Sequence, residues 1–310
     1  MNQERSSTAS IHAATGEGTP ARSPVRQVIS ALLRDKLALF GIILVTIFVF
    51  AAVLAPLLAP QNPYDLAQLD IMDGRLPPGS ESMTGMVYLI GTDTQGRDLF
   101  SAILYGLRTS ILVGISSAAI ALVIGATIGL ISAYVGGRLD SFLMRVVDIQ
   151  LSFPAILIAL IFLAILGQGV DKIILALVVT QWAYYARTIR GSALVERKRA
   201  YVDAARSMAL PDRLILFRHI LPNCLPPLIV VATMRVAYAI MLEATLSFLG
   251  IGLPVTEPSL GLLISNGFEY LLSGDYWISF FPGIALLLLI VAINLIGDSL
   301  RDILNPRREG

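Results

Sequence analysis

Residues 201–223 read YVDAARSMALPDRLILFRHILPN and form a cationic stretch between two apolar segments. Its first half has helical periodicity, and Pro211 is placed to end that helix or to open a second one. The stretch therefore predicts two short amphipathic helices joined by a sharp bend. The residues that recur at helical spacing, and so are predicted to share one face of the first helix, are Tyr201, Ala204, Ala205 and Met208.

The second half of the stretch has its own apolar stripe, formed by Leu214, Phe217 and Leu221. Asp212 is placed to cap this second helix, and Pro222 is predicted to end it. Spacing alone leaves two hypotheses with equal weight. The basic segment lies on anionic lipid, or a helix end enters a groove of another protein. The small side chains that would allow such a close approach are Ala204, Ala205 and Ala209.

The composition of the whole chain is that of a polytopic membrane protein. Of its 310 residues 55% are apolar and 15% are charged, whereas a soluble domain carries about 25% charge. Cys224 is the only cysteine, which excludes an intrachain disulfide. The two histidines, His12 and His219, are too far apart in sequence to suggest a zinc site, so no metal site is expected.

Six apolar segments are predicted to span the membrane, since a helical span needs about 20 mainly apolar residues. The fourth is the weakest, because it has charged residues at both ends. A largely disordered tail is expected over residues 1–36, a loop over 60–109, a second loop over 190–223 and a short tail over 299–310. The predicted spans are 37–59, 110–135, 149–166, 170–189, 225–249 and 278–296.

The distribution of basic residues orients these spans. The N-terminal tail, the 190–223 loop and the C-terminus are rich in arginine, whereas the 250–277 loop has three acidic residues and no basic one. By the positive-inside rule both termini and the 190–223 loop are predicted to be cytoplasmic. The 60–109 and 250–277 loops are then predicted to face outward.

Two features inside the spans are of interest for packing and transport. Gly125 and Gly129 form a small-xxx-small pattern that predicts close helix contact or, as the alternative, a part in gating. Arg235 and Glu243 are intramembrane charges, which usually face a bundle interior or a cavity. They are predicted to line a translocation pathway or, as the alternative, to make structural contacts. Eight residues separate them along one helix, so a direct ion pair is not expected.

Sequence signatures of soluble catalytic sites are absent. None of the three lysines follows a glycine, so the chain has no phosphate-binding loop of the G-x-x-x-x-G-K-[ST] kind. It has no H-E-x-x-H and no G-x-S-x-G motif either. We therefore expect no catalytic residues and no cofactor, and we expect any ATP hydrolysis to be done by another protein.

The 201–223 stretch resembles the "EAA" loop of permease subunits of bacterial ABC importers. Asp203-Ala204-Ala205 matches the start of that motif, and Leu221-Pro222 matches its end at the right spacing. Ala209 stands where the family has glycine, and His219 stands where it often has isoleucine. A bend that depends on glycine is therefore in question at Ala209.

Further segments resemble the subfamily that imports dipeptides, oligopeptides, nickel and glutathione. One span followed by an extended outer loop is similar to the C-type partner of that subfamily. The resemblance covers about residues 30–306 and places a permease core at 110–298. The matching segments are Gly91-Thr92-Asp93, Gly96-Arg97-Asp98, Gly106-Leu107-Arg108-Thr109-Ser110, Leu246–Gly252 and Gly297–Pro306.

The resemblance implies an all-α fold with six transmembrane helices, the type I ABC importer permease fold. It implies a second homologous permease subunit, two ABC ATPase subunits and a periplasmic substrate-binding protein as partners in a bacterial inner membrane. A bulky residue at Asp203 or Ala205 is then expected to uncouple transport from ATP hydrolysis. The residues that it implies for ATPase coupling are Asp203, Ala204, Ala205, Arg206, Ala209, Pro211, His219, Leu221 and Pro222.

Several alternatives stay open. The same architecture could import nickel or glutathione instead of peptides. A secondary transporter driven by an ion gradient is the competing class, although no clear repeat relates the two halves. An intramembrane enzyme is a third class, and no evident nucleophile–base pair supports it. The turn-forming segment from Gly91 to Asp98 could hold the outer loop together or contact substrate.

Overall fold

The computed structural model describes residues 24–65, 69–82 and 85–304, which form a bundle of helices. The predicted disordered segment before Pro24, and Asn305 and Pro306 of the C-terminal motif, lie outside these residues. The helices are α1 (Pro24–Leu32), α2 (Lys36–Val53), α3 (Ala55–Leu58), α4 (Leu99–Val135), α5 (Gly137–Ser152), α6 (Ala155–Leu166), α7 (Val170–Glu196), α8 (Ala200–Ser207), α9 (Asp212–Leu214), α10 (Leu221–Phe248), α11 (Leu260–Phe268) and α12 (Trp277–Ile303).

Short elements complete the described chain. Strands β1 (Ser80–Glu81) and β2 (Val87–Tyr88) pair antiparallel, with Ser80 opposite Tyr88. Single 3₁₀ turns lie at Ile71–Asp73 and Leu271–Ser273. A π-helical segment, Ile215–Ile220, joins α9 to α10, so residues 212–248 form one continuous helix.

Four helical stretches are long and apolar enough to cross a membrane, namely Lys36–Val53, Leu99–Val135, Asp212–Phe248 and Trp277–Ile303. The pair α5 and α6 forms a fifth if it is one span. The chain is thus a helical membrane protein with four or five apolar spans. Helix α7 is not among them, and it lies against α4, α5, α6 and α10. Gln181 is buried among these neighbours, whereas Arg187 is exposed.

The third predicted span, 149–166, is wrong as a single helix. The chain breaks after Ser152, and the axes of α5 and α6 meet at 89°. Proline at 154 has no N–H to donate and forces the preceding residue out of the helical region. Phe153 accordingly has extended dihedral angles, with φ −93° and ψ 141°.

The helix that contains the second predicted span, 110–135, begins before it. Helix α4 starts at Leu99, because the Asp98 carboxylate accepts a hydrogen bond from the Ser101 backbone N–H and caps the helix. The last part of the predicted 60–109 loop is therefore helical. Pro24–Leu32 of the predicted disordered tail is also helical. Helix α12 continues past the predicted boundary at 296 to Ile303.

The loop before α4, which is predicted to face outward and is called the outer loop below, is held by a buried ion pair. The Arg97 Nε lies 2.6 Å from the Asp93 carboxylate, with the two side chains 1% and 0% exposed. Arg97 also donates to the Val255 carbonyl, which ties this segment to the loop that follows α10. Gly96 is required beside the pair, because a Cβ there would lie 2.0 Å from the Asp70 carbonyl oxygen.

A second buried carboxylate lies in the same segment. The hydroxyls of Ser82 and Tyr88 both donate to Asp73, at 2.6 and 2.9 Å. Burial, followed by the hydrogen bond to Asp73, raises the pKa of Tyr88 to about 12. The segment from Gly91 to Asp98 makes its contacts with other parts of this chain, including Val255 and Trp277, which favours the first of its two predicted roles.

Close contact of α4 with α7 follows from the glycine pattern, as predicted. A Cβ at Gly129 would lie 2.2 Å from the Ala186 carbonyl oxygen, and one at Gly125 would lie 2.2 Å from that of Trp182. Only glycine leaves room for the two backbones at these distances.

Replacing Gly129 with alanine is expected to destabilise the protein by about 1–3 kcal/mol or more, because backbone must move to admit the methyl group. Gly191→Ala is the matched control in α7, since a Cβ there meets nothing within 4 Å. It should stabilise the helix by about 1 kcal/mol. Thermal unfolding in detergent, followed by circular dichroism, measures both changes. Equal effects of the two substitutions would contradict the packing account.

Candidate functional site

The loop between α7 and α10 forms a bent element that is fastened to the ends of three helices. Its buried side chains include Val202, Ala205 and Ile215, which lie in one cluster with Leu130 of α4 and Ile189 of α7. Leu216 and Ile220 extend this cluster towards α10. The loop is therefore packed as an extension of the helix bundle.

Polar contacts fasten the same loop at its edges. The Tyr134 hydroxyl donates to the Asp212 carboxylate, and the Arg206 guanidinium lies over the Tyr134 ring. The Tyr201 hydroxyl donates to Glu196 at 2.7 Å and accepts from the Asn223 amide at 3.1 Å. Burial, followed by the hydrogen bond to Glu196, raises the pKa of Tyr201.

The bend after α8 is a Schellman turn with Ala209 at its left-handed position. Ala209 has φ +56°. Its N–H donates to the Arg206 carbonyl, and the Leu210 N–H donates to the Ala205 carbonyl. This is the hydrogen-bond pattern that usually places glycine at such a helix end. The bend therefore forms without glycine, and the Cβ of Ala209 makes it strained.

Replacing Ala209 with glycine is expected to stabilise the bend by about 1 kcal/mol, because the left-handed conformation is costly for any residue with a Cβ. Ala204→Gly lies within α8 and is the matched control, expected to destabilise by about 0.5–1 kcal/mol. Hydrogen exchange of the Leu210 amide measures both changes. Faster exchange in the Ala209→Gly protein would contradict the conclusion that Ala209 is strained.

The second helix of the loop does not end at Pro222 as predicted, and Asp212 does not cap it. Asp212 is the first residue of α9, and Pro211, in the N-cap position, makes no side-chain cap. The chain then winds as the π-helical segment and continues through Pro222 into α10. Pro222 has no N–H to donate to the preceding turn. The preceding turn is the wider π-helical one, and the helix continues through the proline.

Some of the predicted coupling residues are exposed and others face the bundle. Ala205 is 2% exposed and packs in the bundle cluster, so it does not share an outward face with Ala204 as the spacing predicted. His219 and Leu221 are half-buried. The exposed members are Asp203, Ala204, Arg206, Ala209, Pro211 and Pro222.

An exposed apolar surface lies on the second helix of the loop. Leu214 is 36% exposed and Phe217 is 55% exposed, and Arg213 and Arg218 flank them. Together with Pro211 and Pro222, these residues line one shallow cavity, which we call the loop surface. The predicted stripe of Leu214 and Phe217 thus points away from the bundle, and Ile215, Leu216 and Ile220 make the inward contacts instead.

A groove runs along α7, α10 and α12 and has Arg235 in its wall. One cavity of about 430 Å³ is lined by Tyr184, Arg235, Tyr238 and Asn294, among others. A second cavity of about 730 Å³ extends from it towards Glu196, Asn223 and Arg301. The two cavities share Val231 and Met234, so they form one continuous groove.

Arg235 and Glu243 occupy different surroundings, and they form no ion pair. Glu243 is fully buried, where it accepts hydrogen bonds from Ser110 at 2.9 Å and Ser247 at 2.8 Å. It does not line the Arg235 cavity. Sequence reasoning missed these serine partners. It also missed Gln181 and Tyr185 on α7, whose buried polar side-chain atoms have no hydrogen-bond partner in the described part of the chain.

Comparison with known proteins identifies the family. The family model described as "binding-protein-dependent transport system inner membrane component" matches residues 125–310. The model of the N-terminal transmembrane domain of oligopeptide transport permease C matches residues 23–78. The chain belongs to the family of binding-protein-dependent transport permeases.

Relatives of this permease match more than nine-tenths of its length. A Brucella abortus protein whose name assigns it to a peptide transport system as a permease is 44% identical over 92% of this chain and 93% of its own. The dipeptide transport system permease protein DppC of Alkalihalophilus pseudofirmus is 36% identical over 93% and 91%. The di/tripeptide permease DppC of Pseudomonas aeruginosa is 36% identical over 92% and 93%.

The fold of the permease also has a solved counterpart. A chain of the MetNI methionine ABC transporter in inward-facing conformations has a TM-score of 0.53 and 22% identity, and the match covers 65% of this chain and 96% of that one. At this identity the likeness concerns the fold. The predicted resemblance to ABC importer permeases is therefore confirmed, and the chain is a membrane permease subunit of such a transport system.

Proposed function

We propose that this permease forms half of the membrane pathway of an ATP-driven peptide importer, with di- or oligopeptides as its substrates. Relatives named for dipeptide and di/tripeptide transport match over nine-tenths of the chain. The pathway half is the groove along α7, α10 and α12, which is open along one side of the single chain. A second, homologous permease subunit would close it.

The observation that carries the coupling proposal is the loop surface. It presents two apolar side chains and two arginines on an element that is otherwise packed into α4, α7 and α10. An apolar centre with an arginine rim is the composition of protein interfaces. Two cytoplasmic ABC ATPases would bind this surface, one on each permease, and supply the ATP hydrolysis. The exposed residues Asp203, Ala204 and Arg206 extend the same contact along α8.

The assignment of the loop surface to ATPase binding determines the proposed topology. Six spans, including α7 and the bent pair α5–α6, would place both termini and the loop surface in the cytoplasm of a bacterial inner membrane. The folded outer loop and α11 would then face a periplasmic substrate-binding protein. Arg97 joins the outer loop to Val255, which lies between α10 and α11. The outer loop and α11 would therefore present one rigid surface to the binding protein.

Uptake of a labelled dipeptide into vesicles tests the proposed function. The vesicles contain the permease with its second permease and ATPases, and the binding protein is added outside. Uptake is expected to need ATP inside and the binding protein outside. Uptake that continues without ATP and stops when a proton ionophore is added would contradict the proposal, because it indicates a secondary transporter.

A further inference from the structure

We infer that Arg235 forms a subsite for the C-terminal carboxylate of the peptide within the translocation groove. This inference rests on the proposed function and adds a specific contact to it. Arg235 lies in α10, and its side chain is half-buried in the wall of the cavity between α7, α10 and α12.

The Arg235 side chain is held in place by aromatic rings. Its guanidinium carbon lies 3.4 Å from the centre of the Tyr184 ring and 5.2 Å from the centre of the Tyr238 ring. Both rings belong to the bundle, Tyr184 to α7 and Tyr238 to the next turn of α10. Contact with ring faces stabilises a guanidinium and leaves the N–H groups at its edge free.

The charge of Arg235 has no carboxylate partner in the described part of the chain. The ion pairs there join other residues, and Glu243 bonds to serines instead. An intramembrane cation without a counter-ion is expensive, and such residues mark binding sites and pathways. The side chain is thus held between aromatic rings, and its guanidinium makes no hydrogen bond to the described residues.

The rest of the cavity matches a peptide end. Tyr184, Tyr238 and Asn294 also line it, and their side chains can donate hydrogen bonds. Met234 and Met241 line it as well and offer adaptable apolar contacts. Its volume of about 430 Å³ lies in the range of small-molecule sites. Every linear peptide has a terminal carboxylate, and an arginine can bind it through two parallel hydrogen bonds. Such a site recognises peptides without regard to their sequence.

Uptake of trialanine and of its C-terminal amide tests this inference in the complete reconstituted importer. Each peptide is used at the concentration that saturates the binding protein. In Arg235→Gln, uptake of the free acid is expected to fall about tenfold and uptake of the amide to stay unchanged, since a site built for one polar group discriminates strongly against its loss. Arg235→Lys should recover part of the free-acid uptake, because it keeps the charge and loses the planar contact.

Other outcomes overturn the inference in distinguishable ways. Equal loss of both peptides would show a structural role. Loss of the second permease from the purified Arg235→Gln complex would show that the arginine pairs with an acidic group across the interface. If the wild-type importer takes up neither peptide, the proposed function itself fails.

A second measurement does not depend on how the binding protein treats the amide. Arg235→Cys is prepared in a Cys224→Ala protein and treated with a cationic trimethylammonium-ethyl or a neutral methyl thiosulfonate reagent. The cationic group is expected to restore trialanine uptake at least in part, and the neutral group is expected to have no effect. Equal recovery with both reagents would overturn the charge role of Arg235.

Discussion

Phe217→Asp is expected to abolish peptide uptake and to release the ATPase subunits from the purified complex. Phe217 is 55% exposed at the centre of the loop surface, so the bundle does not need it for folding. A carboxylate there would have to be desolvated when the ATPase binds. Loss of a central apolar residue weakens an interface by about 2 kcal/mol or more, which is roughly 30-fold in affinity.

Phe268→Asp is the control for this substitution. Phe268 is 58% exposed at the end of α11, in the loop that follows α10. The same change of chemistry at the same exposure is expected to leave ATPase binding intact. Co-purification of the ATPase in detergent and ATP-driven uptake in vesicles measure both variants. If Phe217→Asp retains its ATPases, the loop surface is not their binding site, and contact with anionic lipid becomes the better explanation.

Arg97→Ala is expected to destabilise the outer loop by about 3–5 kcal/mol, because it leaves Asp93 fully buried without its cation. The substitution also removes the hydrogen bond to Val255, so the outer loop and the loop that follows α10 should separate. Limited proteolysis of the outer loop and thermal unfolding in detergent measure the change. Cleavage before α4 is expected to become fast in this variant.

Arg75→Ala provides the matched control. Arg75 is also an outer-loop arginine with an acidic partner, Asp275 at 3.5 Å, but its side chain is 50% exposed. An exposed pair contributes about 0–1 kcal/mol. If both substitutions have the same small effect, the buried pair does not hold the outer loop together, and the fold of the segment must depend on Gly96 and Asp73 instead.

The sequence predicted the class of the protein and the position of most helices, because long apolar runs are a strong local signal. The prediction was wrong where prolines interrupt the helices. Pro154 lies inside the apolar run 149–166, and hydropathy does not distinguish a bent helix pair from a straight span. Pro222 seemed to end a helix, but the π-helical segment before it lets the helix continue.

The faces of the short helices were harder to predict than their existence. Val202 and Ala205 face inward and Ala204 faces outward, so the true face of α8 is turned relative to the predicted one. In a helix of two turns, the choice of face depends on which neighbours the chain meets. Here Leu130 and Ile189 come from distant parts of the sequence. The expected uncoupling by a bulky residue therefore applies to Asp203, whereas at Ala205 such a residue would disturb the bundle itself.

Charges inside the membrane were visible in the sequence, but their partners were only partly so. Tyr238 lies one turn after Arg235, and that spacing could have suggested a contact. Tyr184 and the serine partner of Glu243 in α4 come from other helices, so only the folded bundle brings them together.

The most direct test of the central claim is photo-crosslinking from the loop surface to the ATPase. Benzoylphenylalanine is placed at position 217 or, in the matched control, at position 268, and the assembled complex is irradiated in vesicles. The two positions hold phenylalanines of nearly equal exposure at different ends of the bundle. The account predicts a crosslink to the ATPase from 217 and none from 268. A crosslink from 268, or one from 217 to lipid alone, would contradict it.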